Sequence, residues 1–467
     1  MTLLEQLTEY CSGDALPMHM PGHKRNLAAA GYLAPLGAGL DITEIQGFSD
    51  LHDPEGALAE RMRDAAALWG SRRAWWLIGG STAGLLSGIF AAAAPGDTVL
   101  LARNCHKSVY NAVMLRGLTP RYLSPAPWPG QSFSGPVTPE AVEAAFAAHP
   151  QAKLLVLTSP TYEGVISDIP FISGIAHRHG AAVLVDEAHG AHLGLSPAFG
   201  PGAVTAGADM VVQSLHKTLP SLTQTGLLHL CPGRISPDAV GYWLSVFQTS
   251  SPSYLLMASI DGCVDLLRRR GPELLDNWSR AIDGFYEQAA GLRHLALPLA
   301  GRPGTDKSKL VISTARAGIT GPELARRLRE EHHIETEMAA PDYLIAMTGM
   351  GDTPDTLSRF AHALLAVDGT LRAGQAAPLP TLPVPEAVLP MGAAMESPVR
   401  LCPITDAAGE IAADFLWAYP PGIPLVTPGE VIPAALPAYA AACDAAGVTL
   451  RVPRQTPDGM LRVVKRG

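Results

Sequence analysis

A chain of 467 residues, 47% hydrophobic and 16% charged, can bury a large core and divide into two or three domains. Its net charge of -9 and lack of a long basic run argue against nucleic acid as a partner. The longest apolar stretch, Leu85–Ala94, stops at Pro95 and is too short for the ~20 residues of a membrane helix, so no membrane association is expected. Glu5 and Glu9 interrupt the first ten residues where a secretory signal would lie. The six cysteines (Cys11, Cys105, Cys231, Cys263, Cys402 and Cys443) form no C-x-x-C pair, which suits reduced thiols. A soluble cytoplasmic protein is the expectation.

In chain order, a Gly79-Gly80-Ser81-Thr82 loop leads into an apolar helix expected over Ala83–Ala94. A strand follows at Asp97–Ala102, a helix at Asn104–Arg116, and a strand at Leu154–Leu157 that Thr-Ser-Pro ends. Ile172–His179 reads as a helix, Ala181–Val185 as a strand ending in Asp186, and Met210–Val212 as a strand just before Ser214-Leu-His-Lys217. Short, continuously apolar strands between helices predict an α/β fold with a mostly parallel sheet covered on both faces. In such sheets, sites form at the carboxyl ends of strands, where Asp186 and Ser214–Lys217 fall. After about residue 265 the texture changes. Thr320-Gly-Pro-Glu323 has the capping-box pattern and opens a helix through Glu331. Thr353-Pro-Asp-Thr opens another to about Val367. Residues 373–390 are rich in Pro and Ala and read as a linker. A final α+β segment centres on Tyr419-Pro-Pro-Gly-Ile-Pro424.

Four features carry chemistry. The small residues Gly79–Gly84, followed by a helix, suit a phosphate. The backbone can approach closely, the helix start offers unpaired N–H groups, and Ser81 and Thr82 add hydroxyls. A flexible turn with a Ser/Thr cap is the other reading, and no Walker Lys-Ser/Thr follows. Asp186, ending a buried strand, is costly unless paired. It reads as a helix cap, a salt-bridge partner, or a partner for a cationic ring nitrogen. His189 and His192, with Asp186 or Glu187, also permit a metal reading, as do His19 and His23. Pro21-Gly22 breaks the alignment of that last pair and no His-Glu-x-x-His occurs, so no metal is expected. Lys217 follows an apolar strand and is flanked by His216, which suits Schiff-base chemistry; a surface loop lysine is the other reading. Together, a phosphate loop, a His106 platform, a strand-end acid and a lysine are what pyridoxal 5′-phosphate (PLP) requires.

These residues resemble the fold-type-I PLP enzymes, specifically the ornithine/lysine/arginine decarboxylases. The matching strings are His19-Met-Pro-Gly-His-Lys24, Asp41-Ile-Thr-Glu44, Leu51-His-Asp-Pro-Glu-Gly56, Asn104-Cys-His-Lys-Ser108, Ser159-Pro-Thr-Tyr162, Asp186-Glu-Ala-His-Gly190, Ser214-Leu-His-Lys217, Tyr419–Pro424 and Pro428-Gly-Glu430. They keep the family's order across nearly the whole chain. The form resembled is the short one, without an N-terminal wing domain. The pattern departs at Gln46 and Asp53, where relatives often carry Pro and His. That bears on the substrate more than on the cofactor.

The resemblance implies a PLP-binding large domain over 61–265, an N-terminal segment 1–60 that contributes to the site, and a small α+β domain over 266–372. The linker 373–390 and a C-terminal decarboxylase-type region 391–467 complete the division. It implies that Lys217 forms the Schiff base, Asp186 holds the pyridine nitrogen's proton, and His106 stacks on the ring. Ser81, Thr82, Ser214 and His216 would surround the phosphate or ring, with His189 beside the ring. Thr249 and Ser250 would reach the neighbouring subunit's phosphate, which implies at least a homodimer with shared sites. Glu430 would meet the distal cationic group of a basic amino acid; a surface salt bridge is the other reading. The implied reaction is decarboxylation of arginine, lysine or ornithine to the amine and CO2, with arginine first. Transamination, aldol-type cleavage and a non-catalytic PLP-fold binding protein are the alternatives.

Overall fold

The computed structural model describes residues 1–374, 380, 382–418 and 422–465. The 373–390 linker and the Tyr419–Pro424 motif therefore lie partly outside the described residues. The elements run α1 (Leu3–Ser12), α2 (Gly56–Trp69), β1 (Arg73–Leu77), α3 (Gly80–Ala92), β2 (Thr98–Ala102), α4 (Lys107–Arg116), β3 (Thr119–Leu123), α5 (Pro139–Ala148), β4 (Leu154–Thr158) and α6 (Ile169–Arg178). Then come β5 (Ala182–Asp186), β6 (Met210–Ser214), α7 (Leu215–Thr218), β7 (Gly226–Leu230), α8 (Pro237–Phe247), α9 (Tyr254–Ala289), β8 (Lys309–Ser313), α10 (Gly321–His332), β9 (Met338–Ala340), β10 (Tyr343–Met347) and α11 (Pro354–Asp368). The last are α12 (Met391–Glu396), β11 (Val399–Pro403), β12 (Leu416–Ala418), β13 (Ile423–Val426), α13 (Leu436–Ala445), β14 (Leu450–Arg451) and β15 (Met460–Val464). Two units emerge. One comprises Met1–Ala92, Ala182–Asn277 and Gly349–Gly351; the other comprises Ala93–Ala181, Trp278–Thr348 and Asp352–Gly467.

In the first unit the strand order is β1-β7-β6-β5. β5 and β6 are parallel, pairing Asp186 with Val212, and β7 is antiparallel to both β6 and β1. All residues of β5, β6 and β7 are buried, which explains their near-unbroken apolar sequence. Helix α3 lies tight against these strands because it is built from small residues. A Cβ on Gly84 would stand 2.7 Å from Leu77 Cδ1 and 2.9 Å from Val212 Cγ1, and one on Gly88 would collide with Leu184. The helix begins at Gly80, three residues before the expected Ala83, so Ser81 and Thr82 belong to its first turn. Glycine is required at residue 80 by its left-handed φ of +70°, which turns the chain from β1 into α3.

In the second unit β4-β2-β3 are parallel, with helices α4 and α5 in the connecting segments and α6 after β4. A separate antiparallel sheet, β8-β10-β9, carries α10, and α11 packs against α10. The C-terminal strands form two small sheets, β11-β15 and β13-β12-β14. Their core contains Cys402, Leu416, Val426, Ile432, Leu436 and Val463.

Two expectations are refined. Only half of the box at Thr320 forms: its hydroxyl accepts from Glu323 N, but the Glu323 carboxylate turns to Arg326 instead, at 2.8 and 3.0 Å. A guanidinium one turn on outcompetes a backbone N–H. Complete boxes form at Thr353, with Thr356 as its partner, and at Thr2, with Glu5. The division expected at 265/266 falls inside α9, which continues unbroken through Pro272. The six cysteines are thiols, not joined to one another in disulfides. Among the described residues no helix is long and apolar enough to cross a membrane.

Candidate active site

The first unit gathers its chemistry at the carboxyl ends of β5 and β6. Ser214 closes β6, and Leu215–Thr218 make a single helical turn. Backbone bonds from Leu215 N to Thr225 O and from Leu219 N to Leu215 O pin that turn. Lys217 Nζ lies 2.8 Å from His189 Nε2. His216 Nδ1 donates to the Thr225 carbonyl at 2.8 Å, and burial holds its basicity below the ordinary histidine range. His216 is therefore a neutral ring with a fixed tautomer.

Asp186 is 3% exposed, and its Oδ1 accepts from Ala188 N at 3.1 Å. Burial pushes its carboxyl above the usual range, while the nearby Lys217 ammonium pulls it back. Such a carboxyl gains most from a second, fixed positive charge, which a protonated pyridine nitrogen would supply.

The start of α3 meets the end of β6 directly: Ser81 Oγ is 2.5 Å from Ser214 Oγ. Two hydroxyls thus stand together where the first turn of α3 leaves backbone N–H groups without helical acceptors. Space is open around Gly80, and Thr82 is exposed beside it. The arrangement fits PLP: a phosphate end at Ser81–Thr82 and Ser214, an acid at Asp186, and an amine at Lys217.

The remaining expected residues are placed as follows. Thr249 and Ser250 are exposed on the loop between α8 and α9. Thr249 Oγ1 accepts from Ser251 N at 3.1 Å and its carbonyl binds His52 at 2.9 Å. His106 and Glu430 belong to the second unit. His106 is the N-cap of α4; its Nδ1 accepts from Ser108 N at 3.3 Å and lies 2.8 Å from the Ser108 hydroxyl. Glu430 is fully buried and forms a two-point ion pair with Arg103, at 2.8 and 2.9 Å. Among the described residues, no group of three or more His, Cys, Asp or Glu side chains is placed to hold a metal ion.

Glu187, which the sequence offers as a possible metal ligand, instead heads a buried polar chain in the first unit whose other members sequence reasoning passed over. Glu187 accepts from Gln213 Nε2 and from Ala203 N, each at 2.7 Å. Gln213 Oε1 lies 3.1 Å from His229 Nε2, whose Nδ1 is 3.0 Å from Ser71 Oγ. Polar residues inside the apolar runs Met210–Ser214 and Gly226–Leu230 were the available signal. Burial pushes the Glu187 carboxyl up to about 8 and holds His229 down at about 3, so both are neutral at pH 7.

This chain sets a pH dependence. Folding raises the Glu187 pKa from an ordinary 4.5, so its contribution is intact below about pH 4.5 and is lost as pH rises towards 8. The Glu187→Gln variant removes that dependence, with the Gln213 amide and the His229 tautomer free to reorient. Measured by urea unfolding, wild type is expected to lose roughly 3–5 kcal/mol relative to the variant between pH 5 and 8. Parallel pH profiles would show that Glu187 is ionised in the fold.

Residues 2–283 match the Orn/Lys/Arg decarboxylase major domain, and residues 383–447 match the Orn/Lys/Arg decarboxylase C-terminal domain. An arginine decarboxylase of Halalkalibacterium halodurans is 31% identical over 477 residues, covering 99% of this chain and 97% of that one. An arginine decarboxylase of Bacillus subtilis is 30% identical over 476 residues, covering 98% and 96%. The crystal structure of the Francisella novicida lysine decarboxylase LdcF superposes with a TM-score of 0.85 at 19% identity, over 99% of this chain and 81% of that one. The fold is that of the fold-type-I PLP enzymes.

Proposed function

Because the chain belongs to the Orn/Lys/Arg decarboxylase family, whose members depend on PLP, we propose that it decarboxylates arginine with PLP held at Lys217. The observation that carries this reading is the lysine–histidine contact at 2.8 Å beside the buried Asp186, at adjoining ends of parallel strands. Both arginine decarboxylases named above match along nearly the whole chain, which supports arginine over lysine or ornithine.

When bound, PLP supplies an electron sink for the pair left at Cα as CO2 departs. Ser81, Ser214 and the first turn of α3 bind the phosphate. Asp186 holds the proton at the ring nitrogen, and its burial makes that charge pairing strong. Lys217 Nζ, in contact with His189 Nε2, can hold a proton and pass it to Cα after CO2 is lost. Neutral His216, fixed by Thr225, keeps a second cation away from Lys217.

The functional unit in this reading is a cytoplasmic homodimer with shared sites. Leu16, Met18, Tyr32 and Leu36 are 78, 81, 78 and 69% exposed, apolar side chains that a second copy would cover. Thr249 and Ser250 are exposed and so accessible to a neighbouring site.

The test is CO2 release by the purified, PLP-supplied protein from arginine, lysine and ornithine in parallel. Arginine is expected to give the highest kcat/KM. Release from none of the three would end the decarboxylase reading.

A further inference from the structure

Two neighbouring residues of one loop hold both the Lys217 turn and the start of α3, and all the residues involved belong to the first unit. The loop, residues 219–225, joins α7 to β7. The Thr225 carbonyl accepts from Leu215 N at 3.1 Å and from His216 Nδ1 at 2.8 Å, which fixes the turn. One residue earlier, the Gln224 carbonyl accepts from Gly80 N at 2.9 Å, and the Gln224 side-chain amide donates to Ile78 O at 2.6 Å. Gln224 thus brackets Gly79 from both sides. The same stretch is held again by Gln248, whose Oε1 accepts from Ile78 N at 2.9 Å and whose Nε2 donates to Trp76 O at 3.3 Å.

The loop is itself anchored. Thr225 is fully buried, and its hydroxyl lies 2.7 Å from both Ser221 Oγ and the Leu222 carbonyl. Ser259 on α9 accepts from Leu222 N at 2.7 Å and lies 3.0 Å from Ser221 Oγ. At Gly226 the chain re-enters the sheet so close to β6 that a Cβ would stand 2.4 Å from the Gln213 carbonyl oxygen. Between these fixed points Gln224 adopts a left-handed φ of +85°. A residue with a Cβ holds that conformation at a cost. Glycine at 224 would remove the cost, and with it the amide that reaches Ile78. Strain kept at a residue that joins two segments of a site points to work done by its side chain.

We propose that Gln224 is a positioning residue that sets the separation between the hydroxyl-bearing start of α3 and the Lys217 turn. It acts through Gly80 on one side and, by way of Thr225, through Leu215 and His216 on the other. The proposal rests on the functional reading above for the ligand, PLP, which carries a phosphate at one end and an aldehyde at the other. A ligand fixed at two points gains from a preset separation; a ligand fixed at one point does not.

The experiment compares wild type with Gln224→Asn and Gln224→Gly. Asparagine tolerates the left-handed φ but its arm is one methylene shorter, and glycine relieves the backbone while deleting the amide. Neither adds strain, so both variants are expected to fold. Amide hydrogen exchange is measured first, on protein freed of PLP. Exchange at Gly80 and Leu215 is expected to quicken about fivefold or more in both variants, with Leu227 and Leu228 of β7 unchanged. Spectroscopic titration then compares PLP with pyridoxal, which has the aldehyde but no phosphate. PLP binding is expected to weaken about tenfold or more, and pyridoxal binding to stay within about twofold of wild type. Three outcomes would each overturn the proposal: unchanged exchange at Gly80 and Leu215, unchanged PLP affinity, or equal weakening of PLP and pyridoxal. The last would mark general damage to the fold. A wild type that binds neither compound would end the functional reading, and exchange at Gly80 and Leu215 would still decide whether Gln224 joins the two segments.

Discussion

Lys217→Ala is expected to lower kcat by at least about a thousandfold, or ~4 kcal/mol of transition-state stabilisation, while the protein stays folded. Lys217 lies on a short turn held by backbone bonds at Leu215 and Leu219, so losing its side chain leaves the local fold intact. What disappears is the amine that would bind PLP and the proton carrier in contact with His189. A second effect accompanies it. The Lys217 charge opposes the burial that pushes the Asp186 carboxyl up, so the variant should hold Asp186 further towards its neutral form. Steady-state kinetics, the visible absorbance of the PLP-supplied protein and circular dichroism check this together. A variant with full visible absorbance and more than a tenth of wild-type kcat would mean that the cofactor is held elsewhere.

Asp186→Asn should be nearly as severe, with kcat falling about 10²- to 10³-fold. The amide keeps the shape and an oxygen for the Ala188 N–H, so packing around this buried position changes little. It has no charge to keep a proton on a ring nitrogen, and the electron sink weakens accordingly. Because Asp186 is assigned to the cofactor and not to the amino acid, KM should move far less than kcat. Asp186→Glu restores the charge on a longer arm in a fully buried strand end and should recover only part of the loss. A fall below tenfold for Asp186→Asn would remove it from the role of ring partner.

The parts of the site that lie close together in sequence were legible there, and the parts joined across the chain were not. The run Ala181–Val185 ending in Asp186 reads as a buried strand with a polar tip, and the structure ends β5 at that residue. The same holds for Met210–Val212 ahead of Lys217, where β6 extends two residues further. The Gly79–Thr82 segment looked like a loop because glycine and hydroxyl residues favour turns. Its first helical turn exists because Gly84 and Gly88 let α3 settle closely on Leu77, Val212 and Leu184. That is a packing cause with no local signature. Nor does any local pattern tie Arg103 to Glu430 across 327 residues. Glu430 could be read as a site carboxylate from its motif, but its partner became visible only in three dimensions. The long helix α9 shows the reverse problem: the composition changes near residue 265 inside one helix that runs on to Ala289.

Whether Lys217 holds the cofactor is read directly by borohydride reduction of the protein after PLP addition, followed by peptide mapping. Reduction converts a lysine–cofactor imine into a stable secondary amine, so the cofactor's mass stays on the residue that held it. A single labelled peptide is expected, the one containing Lys217, with no label in Lys217→Ala. Label on another of the chain's lysines, or none on Lys217 after saturation with PLP, would contradict it.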